Sequence, residues 1–313
     1  MQQRKPKLPR LLPLKRFDYK LVQERFEGLL INVDRDLQRR TDQAERARNF
    51  PASRCLTLLD VMVRFAINSY HAALYLMAET PEDPARRKGY SLIIAPVNRQ
   101  LLDLLFSLVY MLDDFPFRSL SYQRAGWREV VEEYHKFKSE FSREREWKPY
   151  FASGKHVIDF YGELFGISER ERRNPALIPY WKHPFELKNE KTPSRPFLRW
   201  LDRWLYGDTP AQAHLSFGGL LSIAPILVAE LVGGQSQEVV EEYMIHQYRF
   251  HQFSRTGLIV LAILTEINRH CRLGNDEQVA YLWKMFVEHV PEGRDMFKAR
   301  YETMVSLESV TRS

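Results

Sequence analysis

The run Asn98-Arg99-Gln100-Leu101-Leu102-Asp103 sets one cation and one carboxylate four residues apart in a stretch otherwise built from Leu, Ile, Val and Phe. On a helix that spacing puts both side chains on one face, where they can pair. A charge on a buried helix is costly unless it is paired and hydrogen-bonded, so the sequence predicts an internal polar cluster with partners from other helices. The candidate partners lie in the segment from Trp204 to Ser216, which holds Tyr206, Thr209-Pro210 and His214. His214 leads directly into an uncharged apolar run, where an imidazole needs a hydrogen-bond partner. Two chemistries fit Arg99, Asp103 and His214. They form a satisfied polar network that fixes helix register, or a catalytic site in which His214 is the acid or base and Arg99 binds an anion. Residue types and spacing leave both open. Either one requires Tyr206 and His214 to approach the Arg99 helix, because a guanidinium has more donors than one carboxylate satisfies.

With Tyr110 further along the same helix, these residues resemble a bacterial all-helical family of unknown function, in which an Arg-x3-acid helix is followed downstream by Tyr-x7-His-x-Ser. Arg99, Asp103, Tyr110, Tyr206, His214 and Ser216 occupy the matching positions, and the resemblance runs from about Ser53 to Leu231. The family pattern favours Glu where this chain has Asp103 and Ser where it has Pro210. The resemblance implies a helical fold and a polar cluster, and it assigns no reaction.

A second site is offered by Arg64-x6-His71, and a like spacing recurs at Arg128-x6-His135. Arg, four to six residues, then His on a helix resembles the signature of metal-independent HEPN ribonucleases. Those enzymes carry a polar residue directly after the arginine, whereas Phe65 follows Arg64 and Glu129 follows Arg128. The bland alternative makes His71 a helix-face histidine beside the core. Further on, Tyr243, His246, Arg249, Phe250, His251, Phe253 and Arg255 interleave basic and aromatic groups, as a nucleic-acid stacking surface does. Helical spacing scatters them over two faces, which favours a solvated rim beside core aromatics. No P-loop, dinucleotide fingerprint, HExxH, nucleophile elbow or paired-Cys zinc site is present, so no metal and no cofactor is expected.

Periodic helices must position these groups. Apolar residues recur at three- and four-residue steps over 18–48 and 53–79, and the run 90–115 is apolar on nearly all sides, which marks it as the central helix with a kink or start near Pro96. Further helices are predicted over 122–146, with Arg128, Glu129, Glu132 and Glu133 on an exposed face, and over 197–205. Thr209-Pro210 reads as a helix start and Gly233-Gly234 as a stop. A long helix follows from Ser236 to Gly274, then one opened by a cap at Asn275 with Gln278 at its third position. Between 166 and 196, five prolines and weak periodicity mark an irregular connection. The predicted architecture is all-α: a multi-helix bundle without a sheet, formed by a single domain over 17–313.

Two cysteines far apart, Cys55 and Cys271, argue for a reducing, cytoplasmic setting. A spanning helix needs about 20 apolar residues. Tyr90 to Leu112 is interrupted by Arg99 and Asp103, and Leu215 to Ala229 is short and holds Pro225, so no membrane segment is expected. The net charge of +6 has one origin: Arg4, Lys5, Lys7, Arg10, Lys15 and Arg16 account for the whole excess of 46 Lys and Arg over 40 Asp and Glu. Residues 1–16 are therefore a basic, Pro-containing flexible arm on a neutral body, suited to nucleic acid or another protein as partner. The function expected is that of a helical binding or interaction protein, nucleic-acid or phage-defence related; the alternative is a HEPN-like ribonuclease or toxin-type enzyme. Deleting residues 1–16 is expected to leave the melting temperature unchanged while weakening salt-sensitive binding to polyanions, measured at low salt with full-length and shortened protein. Equal affinities would remove the arm from the functional account.

Overall fold

The computed structural model describes residues 19–77, 94–203 and 235–307, with side chains over 22–76, 94–203 and 251–307. Every regular element among them is helical, and no strand is present among the described residues. The longer helices are α1 (Tyr19–Arg46), α2 (Phe50–Met77), α3 (Ile94–Leu112), α4 (Phe115–Phe141), α5 (Lys148–Leu164), α9 (Gln235–Cys271) and α10 (Asp276–His289). Short helices α6 (Glu169–Arg173), α7 (Pro184–Leu187), α8 (Arg195–Leu201) and α11 (Pro291–Met296) join them, and a π-helical turn, Phe297–Tyr301, follows α11.

Tight connections make neighbours of consecutive helices. Between α1 and α2, Arg48 takes a left-handed φ of 55°, and Asn49 then caps α2 through its side-chain oxygen to the Ala52 amide. Helix α9 ends the same way, with Arg272 at φ 50° and Gly274 at φ 88°. Helix α3 occupies the centre: Gln100 alone of its residues is exposed, and α2, α4, α7, α8 and α9 all pack on it. Its main partner, α9, buries seven consecutive residues from Leu258 to Leu264. Pro96 lies in the first described turn of α3, and what precedes Ile94 is outside the described residues.

Where α3 meets α9, three buried polar side chains satisfy one another. Asn98 Nδ2 donates to both the carbonyl and the side-chain oxygen of Gln252 at 3.0 Å, and Thr256 Oγ1 donates to Asn98 Oδ1 at 2.6 Å. Nearby, Trp283 is fully buried against Tyr301 and Phe297, its indole N–H donating to Thr265 Oγ1 at 2.9 Å. A smaller apolar cluster of Trp127, Val131, Ile167 and Ile178 fastens the connection after α5 to α4, with Ile158 of α5 packed against it.

Several expectations need correction. Helix α4 starts at Phe115, seven residues before the predicted start, because Pro116 in its first turn pre-sets a helical φ. Its Arg128 is largely buried rather than on an exposed face, paired with Glu132 at 2.7 Å. Helix α5 was not foreseen, since Tyr150, Val157, Phe160, Tyr161 and Leu164 remain exposed and blur its apolar face. The expected capping pair at α10 does not form: Gln278 accepts from Asn32, and Asn275 makes no side-chain cap bond. Within 166–196 the chain takes short helical turns, α6 opening with a capping box of Ser168 and Glu171. The predicted start at Thr209-Pro210 and the stop at Gly233-Gly234 lie outside the described residues.

Cys55 and Cys271 are free thiols, and burial pushes Cys271 up to about 11. No described helix is long and apolar enough to cross a membrane. Asn98→Ala is expected to cost about 1–3 kcal/mol in urea unfolding, because it strands buried groups on Gln252 and Thr256. Adding Thr256→Val should cost less than the two single changes summed, the mark of one shared network.

Candidate functional site

Arg99 and Asp103 pair as their spacing demands, with Arg99 Nε 3.2 Å from Asp103 Oδ2. The guanidinium side chain is 13% exposed and the carboxylate side chain 38%, so the pair sits at the rim of the core with its cation inward. Tyr110, two turns further along α3, serves another cluster: Arg118 stacks on its ring at 4.0 Å and donates to its carbonyl at 2.6 Å, and Trp181 meets the ring edge-on. Tyr206, His214 and Ser216 lie outside the described residues, as do Arg4, Lys5, Lys7, Arg10, Lys15 and Arg16.

Arg64 and His71 stand two turns apart on α2, half-exposed, and both face acids of α1. Arg64 Nε lies 3.0 Å from Asp60 and 3.4 Å from Asp34, while His71 Nε2 lies 2.9 Å from Glu27. Their surroundings are acidic rather than basic, and burial raises the Asp60 carboxyl despite the Arg64 charge beside it. Arg128 lies over the Tyr180 ring at 3.6 Å and donates to the Ile178 carbonyl, holding the irregular connection against α4. His251 and Arg255 do not form a solvated rim, because Arg255 is buried and both converge on Glu292, at 3.1 and 4.0 Å. Burial opposes the Glu292 charge, but the His251 hydrogen bond and the two cations outweigh it and lower its pKa.

Sequence reading missed a longer buried chain of charges. Arg300 grips Glu266 with two hydrogen bonds, at 2.8 and 3.1 Å, and its third nitrogen donates to Ser194 Oγ at 2.9 Å. Ser194 in turn donates to Asp113 from its hydroxyl at 2.7 Å and from its backbone N–H at 3.1 Å, and Arg118 approaches Asp113 at 3.9 Å. Burial, with Glu266 beside it, pushes the Tyr301 hydroxyl well above its ordinary value. One signal could have found this chain: Glu266 is the single acid in the apolar run from Leu258 to Ile267, the same anomaly that singled out Arg99.

Ser194, so fixed, is the N-cap residue of α8. That helix buries Phe197, Leu198 and Leu201. Arg195, Pro196, Arg199 and Arg203 on its outer side, with Trp200 at the edge of the core, line a cavity of about 370 Å³. Asp202, the acid within this stretch, is drawn away to Lys188 at 2.6 Å. Among the described residues, no carboxylate lies within ion-pair distance of Arg195, Arg199 or Arg203. Arg195 Nε is buried without a hydrogen-bond partner among them. The Trp200 indole stands parallel to the Phe197 ring, 5.9 Å away and 8° apart, which fixes its plane. No cluster of His, Cys, Asp and Glu able to hold a metal occurs among the described residues.

A comparison with protein-family models finds no match, and neither curated proteins nor solved structures match the chain. Glu266→Ala is expected to destabilise the fold by about 3–5 kcal/mol in chemical denaturation, because it leaves the Arg300 cation buried without its counter-charge. Replacing both with apolar residues of similar volume, Glu266→Leu with Arg300→Met, should recover much of that loss.

Proposed function

We propose that this chain is a helical polyanion-binding protein whose ligand is nucleic acid, held by the Arg195, Arg199 and Arg203 face with Trp200 and helped by the basic arm at residues 1–16. The observation that carries this reading is three guanidiniums on one face around a cavity, free of described carboxylates and bordered by an indole. Successive arginines four residues apart climb about 6 Å along a helix, which suits a run of phosphates. A planar guanidinium binds phosphate through two parallel N–H bonds, and each phosphate neutralised releases counterions. Trp200 borders the same cavity, so a base held there would meet an aromatic side chain.

The ribonuclease alternative draws no support from Arg64 and His71, already engaged by Asp34 and Asp60 and by Glu27 respectively. For Arg99, Asp103 and His214 the resemblance to a helical family of unknown function supports a shared polar cluster and no particular reaction.

The test is fluorescence-anisotropy titration of a labelled single-stranded oligonucleotide at 50 and 200 mM salt. Replacing Arg195, Arg199 and Arg203 together by Ala should weaken binding at least tenfold and reduce the salt slope by about 2. Trp200→Ala should weaken binding while leaving that slope unchanged, since stacking releases no counterions. Unchanged affinity of the triple variant at low salt would overturn the reading.

A further inference from the structure

Asp202 is the carboxylate best placed to spoil the arginine face, and it is held off that face. The residue continues the helical backbone at the end of α8, with φ −61° and ψ −46°. It follows Arg199 by three residues, a spacing at which an acid and an arginine on a helix pair, and Arg203 comes directly after it. Local pairs of this kind form elsewhere in the protein: Arg64 with Asp60, Arg128 with Glu132 and Arg39 with Asp36, the last at the same separation of three. Asp202 pairs instead with Lys188, its Oδ2 2.6 Å from Nζ. The lysine end of that bond is fixed. Lys188 follows Leu187, which is fully buried where α7 packs on α3, and its ammonium lies 3.9 Å from the centre of the Phe185 ring. Both partners are largely buried, with side chains 17% and 19% exposed. A carboxylate at that depth is costly to leave unpaired, so removing its cation drives it toward another. On its own stretch of chain the cations within reach are Arg199 and Arg203.

We propose that Asp202 is a built-in competitor of the anionic ligand and that Lys188 is the positioning residue that keeps it in check. The consequence for binding rests on the reading of the arginine face as a polyanion site; the movement of Asp202 does not. While Lys188 holds the carboxylate, Arg195, Arg199 and Arg203 all stand ready for phosphate, with no described acid within ion-pair distance. With the Lys188 charge removed, Asp202 turns to Arg199 and leaves Arg195 and Arg203 for the ligand. The carboxylate is a close mimic of that ligand, because it offers a guanidinium the same two-oxygen acceptor that a phosphate does. Being part of the chain, it competes at a high effective concentration. Lys188 belongs to the turn after α7, so the face is fully charged only while α7 keeps its place beside α8.

The test pairs modification of arginines by phenylglyoxal, read residue by residue by mass spectrometry, with the oligonucleotide titration. Modification needs no ligand, so it follows Asp202 whether or not the chain binds nucleic acid. Lys188→Met should slow modification of Arg199 at least threefold, and Lys188→Met/Asp202→Asn should restore the wild-type rate. Loosening of the fold would speed modification, so a slower rate is not the mark of a damaged protein. In the titration Lys188→Met should weaken binding about fivefold and reduce the salt slope by about 0.7, the share of one cation on a single strand. The double variant should regain wild-type affinity and slope. Arg199 modified at the wild-type rate in Lys188→Met would overturn the proposal. So would equal loss of affinity in the single and double variants, the behaviour of a lysine that touches phosphate itself. The expected modification pattern without oligonucleotide binding by any variant would uphold the Asp202 switch and sink the nucleic-acid reading.

Discussion

Helix α3 carries an asparagine into the middle of the protein and an arginine and an aspartate to its rim, and every polar group that water cannot reach there must be met by protein. Asn98 is met by Gln252 and Thr256, which fixes where α9 crosses and in which register. Arg99 is met by Asp103 one turn on, at the edge of the core. The end of α3 repeats the pattern, because Asp113 closes on Ser194 and thereby draws in Arg300 and Glu266. Packing alone would let helices this apolar slide past one another; paired polar groups at both ends of α3 leave one arrangement in which none is stranded.

The same constraint reaches the surface through Ser194. Because Asp113 and Arg300 hold this residue, the first turn of α8 is pinned to the core, and the next residue in the chain is Arg195. The arginine face thus projects from a fixed base, with the indole of Trp200 held flat by Phe197. A preorganised cationic surface loses less conformational entropy on meeting its ligand than free arginines would. Buried chemistry and surface chemistry are in this way two ends of one hydrogen-bonded chain.

Much of the fold could be read in the sequence because long amphipathic helices declare themselves by period. The described parts of α1, α2, α3, α9 and α10 follow from apolar spacing, and so does the central place of α3. Helix α5 escaped because its apolar residues are shared between a small satellite cluster and solvent, which destroys the one-sided pattern. The Arg99–Asp103 pair was legible because both partners lie on one helix. Arg300 with Glu266 was not, since 34 residues separate them and only the tertiary fold brings them together. The α8 face was passed over for a different reason: its three arginines stand out only once Asp202 is seen to be claimed by Lys188.

The central claim is that the chain binds its ligand on α8, set in place from the core. It is tested most directly by hydrogen–deuterium exchange of the full-length protein with and without a single-stranded oligonucleotide at low salt. The account predicts slowed exchange at 195–203, with the amides of α4 and α5 unchanged. Protection confined to other segments, with 195–203 exchanging as in the free protein, would contradict it.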